Sequence, residues 1–144
     1  MKRRIKQLDK DTRSSSIPKI IIIKAFPVIA FLVAGFLLIP YGSMYFQNNK
    51  VANVNTKAEA ILFYNANCPH CQKVYPKIFW HNILNFKNES KQIQTINVQN
   101  TNNKHYLSEF AIQATPTFMK TTNLNQRLVS TNSQQINHFI KGGH

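Results

Sequence analysis

The sequence predicts an α/β domain of order β-α-β-α-β-β-α, a central mixed sheet flanked by helices, carried behind one N-terminal transmembrane helix. Three observations predict it. An uncharged run of 22 residues, Ala25 to Phe46, separates a basic N-terminus from the rest of the chain. Beyond it, short runs of strand formers interleave with apolar positions at helical spacing. The two cysteines of the chain, Cys68 and Cys71, fall where the first of those strands meets the first of those helices.

The N-terminal element is read from charge. The 144 residues carry 18 Lys+Arg against 5 Asp+Glu, a formal +13. Such a charge first suggests nucleic acid, an anionic membrane surface or another acidic partner. Its position decides. Residues 1–24 hold eight basic side chains and two acidic ones, +6, and the remaining residues hold +7. The run after Lys24 would rise about 33 Å as a helix, against a hydrocarbon core of about 30 Å. Residues 20–46 are therefore assigned as a membrane anchor. Tyr41 and Tyr45 fall where interfacial aromatics are favoured, and Pro27 and Pro40 lie near the helix ends. A buried helix of a soluble protein would show a polar face, and none is present. A cleaved signal peptide would have a shorter apolar run and a small-residue site, whereas Tyr41-Gly42-Ser43 and Lys50-Val51-Ala52 are poor sites.

Basic flanks stay cytoplasmic, so the N-terminus is expected inside and residues 47–144 outside a cell membrane crossed once. The +6 is thereby explained without nucleic acid, which is not expected as a partner. Residues 1–19 are read as a disordered basic tail on anionic lipid. Residues 47–58, polar and Asn-rich, are read as a linker. Residues 59–144 are enough for one small core.

The exported part follows in order. Ala60–Tyr64 is a strand ended by the turn Asn65-Ala66-Asn67. Val74, Tyr75, Ile78, Phe79, Ile83, Leu84 and Phe86 repeat at helical spacing and predict a helix over 69–86. Pro69 suits its first turn, and Pro76 should kink it. Ile93–Val98 alternates and reads as a strand. A short helix is expected over 103–112, a strand from Pro116 to Met119, and a turn at 123–125. A strand over 127–130 and a last helix over 133–141 complete the order. Strands and helices so mixed imply a sheet with helices on its faces.

Cys68-Pro69-His70-Cys71 carries the chemistry. Two cysteines three apart at a helix N-terminus can form an exchangeable disulfide. Free backbone N–H groups and the helix dipole favour the Cys68 thiolate, and a protonated His70 would add positive charge. Stabilising that thiolate makes the disulfide form a stronger oxidant. Cys68 would then be the nucleophile and Cys71 the resolving thiol. Half of a zinc site is an alternative, but the other half is matched only by His138-x5-His144, far from zinc-finger spacing. His81 and His105 are isolated, so no metal and no cofactor are expected. A purely structural disulfide is the remaining alternative, though so small a ring constrains little chain.

From about Ala60 to Ile140 the chain resembles the thioredoxin-fold thiol-disulfide oxidoreductases. The resemblance rests on four features. The strand Ile61–Tyr64 leads into the Cys-Pro-His-Cys motif, and Pro76 lies where the family's active-site helix has its kinking proline. Thr115-Pro116-Thr117 lies where the family has its cis-proline loop, and a hairpin and terminal helix close the chain. By that resemblance Thr115 would pair with a bound substrate strand, and Pro116 would face Cys68. The chain also departs from the family. Asn67 stands where Trp is usual, and Leu62 stands where a buried acid often takes up a proton. The family's first strand and helix look shortened or absent. The Pro-His dipeptide resembles that of strongly oxidising bacterial disulfide-forming proteins, but their helical insert does not fit between Cys71 and Thr115. A smaller relative in kind is the membrane-anchored thioredoxin-like proteins of Gram-positive bacteria, some of them similar to bacteriocin maturation or transport accessory proteins.

The expected function is an anchored, extracytoplasmic oxidase or isomerase of exported Cys-containing polypeptides. With no second cysteine pair, a separate redox partner must recycle it. A reductase of extracytoplasmic disulfides and a redox-inactive tethered binding protein are the alternatives. Binding of anionic polymer by the +7 part is a further one, weighed against a simpler solubilising role for its lysines.

Overall fold

The structure is a computed structural model. It describes residues 19–47 and 53–142, with the backbone alone over 19–24. Residues 1–18 of the expected disordered tail, His144 and most of the first half of the expected linker lie outside the described residues, while Lys19 begins the first helix. The chain divides into two units, residues 1–35 and 36–144.

Helix α1 runs from Lys19 to Phe46. Within the first unit its large apolar side chains are exposed, Phe26, Phe31 and Leu32 among them. The stretch Ala25–Phe46 is long and apolar enough to cross a membrane. An apolar surface on all sides is what lipid tolerates and water does not.

The second unit is built on a four-stranded mixed sheet of order β2-β1-β3-β4. Strand β1 (Ala60–Tyr64) lies in the middle, and all five of its residues are buried. β2 (Ile93–Asn97) pairs with it in parallel, Leu62 opposite Thr95. β3 (Thr117–Lys120) pairs with it antiparallel, Leu62 opposite Phe118. β4 (Arg127–Val129) pairs antiparallel with β3 as a short, largely exposed edge. The parallel β1–β2 step needs a crossover, and helix α2 (Pro69–Leu84) supplies it. Helices α3 (His105–Glu109) and α4 (Ser133–Ile140) complete the order. The β-α-β-α-β-β-α expectation holds throughout.

Period-two alternation along β1 divides the core into two layers. Ala60, Leu62 and Tyr64 join Val74, Tyr75 and Ile78 of α2 and Ile136, Phe139 and Ile140 of α4. Ile61 and Phe63 join Ile96, Val98, Tyr106 and Ile112 on the other face. This two-sided burial explains why β1 reads as an unbroken apolar run. Each large side chain so buried contributes about 1.5–3 kcal/mol.

Local chemistry sets the element ends. Asn132 caps α4 by accepting from the N–H groups of Gln134 and Gln135 at 2.8 and 3.2 Å. Helix α3 closes when Ile112 N–H donates to Leu107 O at 2.8 Å and Ala111 N–H to Ser108 O at 3.2 Å. That pair of bonds requires a left-handed residue, here Ala111 at φ 46°. Pro76 lies inside α2 without ending it.

Residues 36–46 of α1 pack on the domain. Pro40 and Met44 are fully buried, and Met44 belongs to the α2-side core. The Tyr64 hydroxyl donates to Met44 O at 3.1 Å. Ser43 Oγ lies 3.3 Å from the Tyr75 hydroxyl, and Gln72 Nε2 donates to the Tyr45 hydroxyl at 3.0 Å. After this helix, Asn55 N–H donates to Gln94 Oε1 at 2.7 Å, which holds the end of the expected linker against β2.

Candidate redox site

Strand β1 ends at Tyr64, and the chain turns through Asn65-Ala66-Asn67 into α2. Asn65 builds that turn: its carbonyl accepts from Cys68 N–H at 3.0 Å and its Oδ1 from Asn67 N–H at 2.8 Å. Cys68 is thereby fixed at the N-cap of α2 with extended backbone, φ −85° and ψ 120°. Pro69 occupies the first helical position, where its missing N–H leaves nothing unpaired. No side chain caps this helix end. Its free N–H groups and the positive end of its dipole are thus left to the cysteines.

The two sulfurs meet opposite environments. Cys68 is half-buried and Cys71 is buried at 1% exposure. Burial alone would raise the Cys68 thiol. Hydrogen bonds to its sulfur from the Cys71 backbone and thiol, the His70 backbone and the Thr115 side chain outweigh burial and lower its pKa. Burial pushes the Cys71 thiol up to about 11, even though Asn65 N–H donates to its sulfur at 3.5 Å. One thiol is poised to ionise at the surface, and the other is held as a thiol beneath it.

The loop before β3 closes the site. The Thr115–Pro116 peptide is cis. In the reduced pair Cys68 Sγ lies 3.6 Å from Thr115 O, to which the thiol donates. Thr115 is half-buried and Pro116 buried. The Thr117 hydroxyl anchors the loop by donating to Ala114 O at 2.6 Å. The structure therefore brings together Cys68, Cys71, Thr115 and Pro116. Pro69 and His70 are exposed beside them, and His70 reaches the sulfur through its backbone N–H. Next to Thr115 opens a cleft of about 460 Å³. Asn65, Gln99, Lys104 and Gln113 rim it, with Leu107 and Ile112 on its walls.

Two positions of interest in the sequence lie close by. Leu62 is buried in the same layer as Cys71, so an apolar side chain fills the place of the expected proton acceptor. Asn67 is exposed immediately before Cys68. Sequence reasoning missed Gln72, whose Nε2 also donates to Ala66 O at 3.0 Å and so ties the active-site turn to Tyr45. It also missed the buried Tyr64–Tyr75 ring pair, 4.8 Å between centroids, where burial and Tyr75 raise the Tyr64 pKa. Neither residue type carries a spacing signal. Among the described residues no three His, Cys, Asp or Glu side chains are placed to hold a metal ion, and His144 of the alternative zinc reading lies outside those residues.

No curated protein and no solved structure matches the chain significantly. The family model for thioredoxin matches residues 40–142, beginning within the last turns of α1, upstream of residue 59, where the sequence first suggested the domain begins. The match runs through both cysteines, the Thr115-Pro116 loop and the last helix, and covers well over half of the chain, which therefore belongs to the thioredoxin family.

Proposed function

We propose that the protein is a membrane-anchored, extracytoplasmic thiol-disulfide oxidoreductase that forms or isomerises disulfides in exported Cys-containing polypeptides. Peptides with paired cysteines, bacteriocins among them, are the substrate class. Thiol-disulfide chemistry is what family membership supports. The observation that carries the oxidising direction is the inequality of the two thiols, Cys68 lowered and Cys71 raised to about 11.

The chemistry runs in two exchanges. A substrate thiolate attacks Cys68 of the Cys68–Cys71 disulfide. The new bond joins substrate sulfur to Cys68, and Cys71 leaves and takes up a proton. The second substrate thiolate then attacks the substrate sulfur of this mixed disulfide, and Cys68 leaves as a stabilised thiolate. Two electrons pass from substrate to protein, and two substrate protons are released or retained by the thiols. A Cys71 thiol near 11 is mostly protonated at neutral pH, and Leu62 offers it no base. Attack by Cys71 on the mixed disulfide is thereby slowed, and the substrate's own second thiol has time to act. Thr115 backbone and the adjoining cleft are the proposed seat of the substrate chain.

Orientation rests on the +6 segment before the apolar helix and on that helix's length. Outside the cytosolic thiol pool, disulfide formation is the favoured direction. A separate redox protein reoxidises the pair. Equilibration of the purified chain with glutathione buffers tests the direction. An oxidising protein gives a potential well above the thioredoxin value of about −270 mV. A value at or below that figure would establish the reductase reading instead.

A further inference from the structure

Residues of the second unit form an apolar surface at the C-terminal end of α2. Trp80 stacks on Phe36 with ring centroids 4.0 Å apart and planes 18° from parallel. Phe79 meets Trp80 edge-on at 5.1 Å. Ile83, Leu84 and Phe86 beside them are 48, 83 and 68% exposed. Lys87 Nζ lies 5.5 Å above the Phe86 ring, and Lys91 is exposed in the next turn. The nearby acid, Glu89, accepts a hydrogen bond from Asn55 Nδ2 at 2.8 Å.

A patch with three large exposed apolar residues and a tryptophan is costly in water and marks a contact surface. Its composition, aromatics and aliphatics edged by lysine, is that of the bilayer interface. Three contacts align the end of α1 with α2. Phe36 meets Trp80, Ser43 meets Tyr75, and Tyr45 meets Gln72. Residues 36–45 of α1 thus run antiparallel to α2. Leu37, Leu38 and Ile39, which follow Phe36 in α1, are exposed as well.

We propose that this end of the domain is a lipid-contacting surface. Trp80, Ile83, Leu84 and Phe86 sit at the headgroup boundary, and Lys87 and Lys91 meet anionic headgroups. The proposal rests on the anchored reading above and sharpens it. Cys68, at the opposite end of α2, would face away from the bilayer, up to about 24 Å from the patch along a 16-residue helix. The redox pair would then be presented to chains outside the membrane, not to the lipid.

Trp80 is the single tryptophan, so its fluorescence reports this surface alone. The full chain is reconstituted into phosphatidylcholine/phosphatidylglycerol vesicles, with and without bromine on the lipid chains. The expected result is loss of most Trp80 emission in brominated vesicles and little quenching by aqueous iodide. Leu84→Glu with Phe86→Glu should reverse that pattern while the chain stays resistant to carbonate extraction and keeps its glutathione equilibrium. Both side chains are exposed, so the fold tolerates the change. Iodide quenching of the unaltered, carbonate-resistant chain would overturn the lipid surface and leave the anchor standing. Protection from both quenchers would also overturn it, in favour of a protein cover. Extraction by carbonate would overturn the anchor itself.

Discussion

Cys68 and Cys71 share one intrinsic chemistry and are separated by what surrounds them. The N-cap position gives Cys68 backbone donors and the helix dipole, while one helical turn further in Cys71 meets Tyr64, Tyr75 and Leu62. At the residue scale this predicts unequal alkylation of the reduced chain. A lowered pKa means that the thiolate persists to lower pH. The rate at Cys68 should therefore rise with pH and level off at a midpoint below the 9.0 of an unperturbed thiol. Cys71, near 11, should stay unlabelled through pH 8. Iodoacetamide labelling read by mass spectrometry checks both. A Cys68 midpoint at or above 9.0, or earlier labelling of Cys71, would remove the basis for an oxidising pair.

At the element scale, the packed end of α1 makes the next prediction. Met44 is fully buried and belongs to the same core cluster as Tyr64, whose hydroxyl bonds its carbonyl, and Tyr75. Met44→Ala should cost about 2–4 kcal/mol, as buried Met truncations do, measured by urea unfolding of the detergent-solubilised chain. A cost under about 0.5 kcal/mol, usual for an exposed site, would detach this segment from the core. The example also shows where the sequence was legible. β1, α2, β2, α3, β3, β4 and α4 all fall within a few residues of the spans read from apolar spacing. Each buries a face whose period matches its backbone, and Pro69, Asn65 and Asn123 mark the turns. The role of Pro40–Phe46 was not legible. A helix end packed on a protein core and one packed in lipid carry the same apolar residues. Gln72 and Tyr45 were hidden for a related reason, since a single polar contact between distant elements leaves no period. For the site, Cys68 and Cys71 stood out by spacing, and Pro116 by the resemblance to the family's loop. The part played by the His70 backbone, as against its ring, required coordinates.

At the scale of the whole molecule, the charge has two separate meanings. On the proposed anchored reading, the +6 before the apolar helix accounts for orientation, and within the domain Lys87 lies over the exposed Phe86 ring at the end of α2. On that proposal the chain is a tethered redox domain whose nucleophile lies at one end of α2 and whose apolar surface lies at the other. All of this turns on Cys68 exchanging disulfides with other chains. The most direct measurement is to trap that exchange. Full-length Cys71→Ala lacks the resolving thiol, so a substrate captured on Cys68 cannot be displaced by it. In membranes of cells expressing this variant, non-reducing electrophoresis should show adducts of the chain that dithiothreitol dissolves. Cys68→Ala with Cys71 intact should show none. Absence of adducts from Cys71→Ala, or equal adducts from both variants, would contradict a nucleophilic Cys68.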